Sequence, residues 1–218
     1  GSNPTPELTL TSENVSCFGG ADGSVTINAT VGDSPFTYVL SVALENPMII
    51  SGVVDGPLSG GTPKAVELYV IEDIPDLSIY GIGSANNGGG TDGQEFTFPS
   101  ISALAGAYIT VSYETTQFNN FFGSAPSYTS SAASINGDDA IELFKNGSVI
   151  DVFGDINVDG TGTPWEYADS WAYKDATGSV TFSGGNWTVG PVGCTIGSNS
   201  TYTSSCPYPH CTQTTFES

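Results

Sequence analysis

Apolar and polar positions alternate in short runs along most of this chain. Gly23 to Thr30 (GSVTINAT) and Pro35 to Leu40 (PFTYVL) flank Gly-Asp-Ser, and β-branched residues at period two between turn residues predict strands. After Asn46-Pro47 similar runs recur as MIISGVVDGP, KAVELYVIEDIPDLSIYGIGS, QEFTFPSISALAGAYITVSYE and DDAIELFKNGSVIDVFGDI, each bounded by Gly, Pro, Asn or Asp. Their spacing suits an all-β, antiparallel β-sandwich. No long helical period occurs, and Ser102 to Gly106 has room for one short turn only. The expected organisation is an additional N-terminal β segment at 1–45, a sandwich at 46–190 and a Cys-rich tail at 191–218. A segment of roughly thirty residues of β structure is too short to bury a core alone, so the first segment is expected to pack on the sandwich.

Charge narrows the partners. Across 218 residues, 23 acids face only Lys64, Lys145 and Lys174; arginine is absent and the formal net charge is −20. Phosphate recognition rests on Lys and Arg, so no nucleic-acid partner is expected, and an anionic membrane surface is disfavoured for the same reason. No run approaches the roughly 18 apolar residues of a spanning helix, so no membrane insertion is expected. Such an excess of carboxylates suits a cation-rich, extracellular setting that screens self-repulsion. The chain starts Gly1-Ser2 and its sole methionine is Met48, as expected of a fragment of a longer polypeptide.

Four cysteines, Cys17, Cys194, Cys206 and Cys211, are disulfide candidates in an exported protein, with three pairings open. A competing reading places a metal among Cys194, Cys206, His210 and Cys211, although structural zinc sites use tighter paired spacings.

The stretch Asp155 to Glu166, DINVDGTGTPWE, carries the chemistry most open to a metal. Asp155, Asn157, Asp159, Thr161 and Glu166 fall at positions 1, 3, 5, 7 and 12, with Gly160 at position 6. Calcium needs six to eight oxygens, and this spacing delivers them from alternate side chains and one carbonyl around a glycine turn. Calcium at these five residues is therefore expected, against the alternative of an acidic turn between strands. Asp138 and Asp139 form a second acidic place that turn chemistry alone explains, and Asn86 to Gly93 reads as a polar loop. Trp165 and Tyr167, beside that acidic loop, are the candidates for an exposed sugar-stacking platform. Trp171 and Trp187 are assigned to the core. Tyr113 to Tyr128, with Phe118, Phe121 and Phe122, reads as a loop that folds back to seal one end of the sandwich, or else as an exposed interaction patch. Catalytic residues are not expected: the single histidine, His210, lies in the Cys-rich tail, and no feature singles out a carboxylate pair.

Two resemblances add to this reading. NVSCFGGADGSVTINATVGDSPFTYVL resembles the first half of the SprB-type repeat, an immunoglobulin-like module of large surface proteins in gliding Bacteroidetes. Five motifs in order, Ala65 to Tyr69, Asp76 to Tyr80, Leu104 to Val111, Asp138 to Leu143 and Val149 to Gly154, resemble the bacterial lamin-tail-like domain, an immunoglobulin-fold module of secreted proteins. The resemblances imply an immunoglobulin-like sandwich with no catalysis of its own, located at the cell surface or secreted. The expected function is a non-catalytic binding, adhesion or spacer module stabilised by calcium, with a polysaccharide or another surface protein as partner. Its rivals are a carbohydrate-binding module and a metal-dependent hydrolase.

Overall fold

The computed structural model describes residues 7–13, 24–31, 46–174, 180–182 and 185–209. Strands β1 (Glu7–Glu13) and β2 (Ser24–Val31) pair antiparallel as a separate two-stranded sheet. All seven β1 residues are exposed, and the described residues of neither strand join the hydrophobic core built by the later strands.

From Met48 onward the runs predicted as strands become β3 (Met48–Leu58), β4 (Thr62–Val70), β5 (Tyr80–Ala85), β6 (Phe96–Thr97), β7 (Tyr108–Ser112), β8 (Tyr128–Thr129), β9 (Ala140–Lys145), β10 (Ser148–Phe153), β11 (Ser170–Lys174), β12 (Val180–Phe182) and β13 (Gly185–Val189). They form a seven-stranded sheet in the order β12-β13-β11-β3-β4-β7-β8 and a four-stranded sheet in the order β10-β9-β5-β6. Pairing is antiparallel except at β7–β8, which run parallel. The fold is an all-β sandwich.

Its main core is built by alternation. In β4, Val66, Leu68 and Val70 face inward, as do Ile109 and Val111 of β7, and they meet Ile82, Ile141, Leu143 and Phe153 from the smaller sheet. A bulge in β10 pairs Asp151, not Ile150, with the inward Leu143. Asp151 thus enters the core with 2% side-chain exposure and accepts from the Lys174 ammonium at 2.9 Å, and its Oδ2 also accepts from Ile50 N at 2.9 Å. That buried pair ties β10 to β11 and β3 across the sandwich. Burial pulls the Lys174 pKa down, opposed by the Asp151 charge. Trp187 is fully buried, as expected. Trp171 is not in this core: it points to the opposite face of the seven-stranded sheet, half-buried, with its Nε1 donating to the Cys206 carbonyl at 3.2 Å.

Candidate functional site

The outer face of the seven-stranded sheet is covered, and the cover encloses a pocket. Residues 116–122 form a short helix, α1 (Thr116–Phe122), where the aromatic-rich segment was expected to be a loop. The Glu114 carboxylate accepts from the Gln117 and Phe118 amides at 2.8 and 3.0 Å, satisfying free N–H groups at the start. Gly123 ends the helix with φ at 78°, the left-handed conformation that suits glycine. Phe118, Phe121 and Phe122 fall on one helical face and bury against Val54, Ala65 and Tyr173. They are neither an exposed patch nor a plug at one end of the sandwich, because their three- and four-residue spacing makes an apolar stripe that the outer sheet face accepts.

The C-terminal segment supplies the second part of the cover. Cys194 and Cys206 form a disulfide with a Cα–Cα distance of 5.7 Å. That bond consumes two of the four proposed metal ligands, so the Cys194, Cys206, His210, Cys211 metal reading fails; Cys17, His210 and Cys211 lie outside the described residues. Tyr202 donates from its hydroxyl to the Phe122 carbonyl at 3.0 Å, and the Tyr208 amide donates to Thr201 Oγ1 at 2.8 Å. The Tyr208 ring then descends onto Gly52, where an added Cβ would lie 1.7 Å from the phenol oxygen. Only glycine admits the ring there.

Glu67 sits under this cover. In β4 its neighbours Val66 and Leu68 face the main core, so period two sends Glu67 to the outer face. Ser51 is the extra residue of a bulge in β3, and its hydroxyl donates to Glu67 Oε1 at 2.8 Å. The Tyr208 hydroxyl donates to the same oxygen at 3.1 Å. Oε2 takes no hydrogen bond from the described residues, and Glu67 as a whole is only 9% exposed. Burial raises its carboxyl from 4.5 to about 7, against the lowering effect of the two hydroxyl donors. Burial and then the Glu67 charge hold the Tyr208 phenol well above its ordinary value.

Around this carboxylate lies a cavity of about 270 Å³ walled by Tyr108, Tyr173, Phe118, Phe122, Tyr202 and Tyr208. Tyr208 meets Tyr173 edge-on at 5.5 Å and Phe122 at 5.9 Å. Ser124, Ala125 and Tyr202 line it and are exposed, which places its mouth between the end of α1 and the C-terminal segment. Sequence reasoning missed this site. Its one signal is a glutamate inside the otherwise apolar run AVELYV, a charge where the pattern predicts burial.

The residues singled out from the sequence lie elsewhere. Trp165 is 5% and Tyr167 0% exposed; both pack on Phe153, at 6.0 and 5.3 Å, inside the main core. They present no stacking platform, and the Tyr167 hydroxyl donates inward to the Asp139 carbonyl at 3.0 Å. In the acidic loop, Asp155 Oδ1 accepts from Asn157 N and Asp159 Oδ1 from Thr161 N, each at 2.9 Å. Glu166 Oε2 accepts from Gly162 N at 2.6 Å, and the Thr161 hydroxyl donates to Asp138 Oδ2 at 3.0 Å. The carboxylates are turned onto nearby N–H groups, and among the described residues no three His, Cys, Asp or Glu side chains gather to hold a metal. The Thr161 amide bond holds the Asp159 carboxyl below its ordinary value. Asp139 accepts from the Asn87 and Asn136 amides at 2.9 and 2.7 Å and thereby anchors two loops.

Comparison with known proteins places one segment. Residues 9–43 match the family model described as SprB repeat, a stretch that takes in all but the first two residues of β1 and the whole of β2. No curated protein and no solved structure matches the chain, and no family match accompanies the lamin-tail-like resemblance of the sandwich.

Proposed function

We propose that this chain is a non-catalytic binding module of a secreted or cell-surface bacterial protein, with the Glu67 pocket as its ligand site. One observation carries the reading: a nearly buried carboxylate with one unengaged oxygen forms the floor of an aromatic cavity whose mouth is exposed. Burying such a group without full compensation costs stability. Where such a group also lines an open aromatic cavity, it marks a candidate binding site. The SprB repeat match at residues 9–43 supports a surface setting. Binding is favoured over hydrolysis because, among the described residues, Glu67 is the only carboxylate lining the cavity, whereas glycoside hydrolysis uses two acids. None of the residues of the acidic loop expected to hold calcium lines this cavity.

The test is a ligand-observed NMR screen of small polar and aromatic fragments, repeated on Ala125→Trp, which places a bulky ring at the exposed mouth of the cavity. Saturable hits that disappear in the variant are the expected result. A screen without hits, or hits insensitive to Ala125→Trp, would refute the assignment.

A further inference from the structure

We infer that the Glu67 pocket, taken as the ligand site just proposed, selects an organic ammonium group, seated against the free Glu67 oxygen and within the aromatic walls. The first ground is what the chain itself lacks. It has three lysines and no arginine, and each lysine is engaged elsewhere. Lys64 pairs with Asp55 at 2.9 Å and Lys174 with Asp151 at 2.9 Å, while Lys145 lies 5.6 Å over the Tyr80 ring. None lines the cavity. Among the described residues no cation reaches this carboxylate, and a carboxylate taken out of water is neutralised either by a proton or, above its raised pKa, by a cation from outside.

The second ground is the donor and acceptor balance of the walls. Tyr208 donates to Glu67, Tyr202 to the Phe122 carbonyl, and Thr110 Oγ1 accepts from the Ser127 amide at 2.9 Å. Tyr108 and Tyr173 share a hydrogen bond. These inner hydroxyls already make bonds, and only the Ser124 hydroxyl at the exposed mouth adds to them, so a polyol finds few partners inside the pocket. Its one strong open group is the acceptor Glu67 Oε2, and the rest is aromatic surface, which attracts a cation through the ring quadrupole. A sugar hydroxyl can donate to Oε2 but leaves the negative charge unneutralised; an ammonium supplies both the donor and the charge.

The third ground is size and field. A cavity of about 270 Å³ is at the small end of ligand pockets, suited to a head group more than to a whole oligomer. A net charge of −20 concentrates cations near the surface. The groups facing Glu67 are Ser51 from β3, Tyr108 from β7, Tyr173 from β11, Phe118 and Phe122 from α1, and Tyr208 from the C-terminal segment. Among the described residues, no second carboxylate and no cation competes for the site.

Calorimetric titration with n-butylammonium, tetramethylammonium, the neutral 3,3-dimethylbutanol and Nα-acetyl-lysine amide tests this on the whole chain. The cations should bind saturably at about pH 8, weaken roughly tenfold for each pH unit below about 7 as Glu67 takes up its proton, and lose at least about tenfold in Glu67→Gln. The neutral alcohol should not compete. Lysine amide binding as tightly as the free amines would identify a peptide-borne side chain as the source of the ammonium; its exclusion while the free amines bind would identify a small free amine. Equal binding of the alcohol and the cations, or unchanged cation binding by Glu67→Gln, overturns the ammonium inference and leaves the pocket a ligand site. If no probe of either kind binds and the fragment screen is also empty, both readings fall.

Discussion

Glu67→Gln should stabilise the protein at alkaline pH and leave it unchanged in acid. Burial raises the Glu67 carboxyl from 4.5 to about 7, and each unit of pKa difference between folded and unfolded chain corresponds to about 1.4 kcal/mol. The native state therefore holds a proton that the unfolded state releases between about pH 4.5 and about 7. Stability from this group is fully present below that window and is lost as pH rises through it, by about 3 kcal/mol in all. Glutamine never ionises, keeps an acceptor oxygen for Ser51 and Tyr208, and replaces the free oxygen by an amide. Urea unfolding of both proteins at a series of pH values isolates the effect, because the other 22 acids cancel in the difference. The two curves should coincide at about pH 4 and separate to about 3 kcal/mol by about pH 8. A separation that does not vary with pH, or a wild type that gains on the variant as pH rises, would refute the reasoning. The same curves carry a check on the pocket: n-butylammonium at alkaline pH should narrow the gap by stabilising the wild type only.

The packing sets further expectations. Lys174→Met leaves Asp151 buried without its cation and should cost about 3–5 kcal/mol in chemical unfolding, most of it recovered in the Asp151→Asn, Lys174→Met double variant; a loss below about 1 kcal/mol would contradict a buried pair. Gly52→Ala sets a methyl against the Tyr208 phenol and should destabilise by about 1–3 kcal/mol while expelling that ring, visible as new solvent exposure of a tyrosine; an unaltered tyrosine environment would show the contact to be wrong. In the acidic loop, the Asp155, Asp159 and Glu166 carboxylates already accept backbone N–H groups, so chelation followed by calcium readdition should move the melting temperature by no more than about 1 °C. A calcium-dependent rise that Asp155→Ala abolishes would refute this expectation and establish calcium at the loop.

Local pattern alone determined that this chain is an all-β sandwich. Alternation at period two is a property of each strand by itself, so VELYV, AIELF and VIDVF announce β4, β9 and β10 without reference to the rest. The same pattern does not say whether the second face of a strand meets water. Here it does not: β3 and β4 are buried on both faces over most of their length, because α1 and the C-terminal segment cover the outer side of the larger sheet. Period two therefore groups Trp171 with Tyr173 on one face but does not say which side that face meets, and an acid in an apolar run could not be told from an exposed one. Trp165 and Tyr167, on either side of Glu166 at the end of the acidic loop, look exposed in sequence and are core in space. The acidic loop shows a related limit. Spacing of oxygens at positions 1, 3 and 5 is the same for a calcium loop and for consecutive side-chain-capped turns, and only the direction of each carboxylate separates them. The pocket needed tertiary structure most of all. Glu67 and Tyr208 are 141 residues apart in the chain, and what joins them is a bulge at Ser51, a glycine at 52 and a disulfide at Cys194–Cys206. Burial and long-range pairing are decided by the whole chain at once, and no short window of sequence contains them.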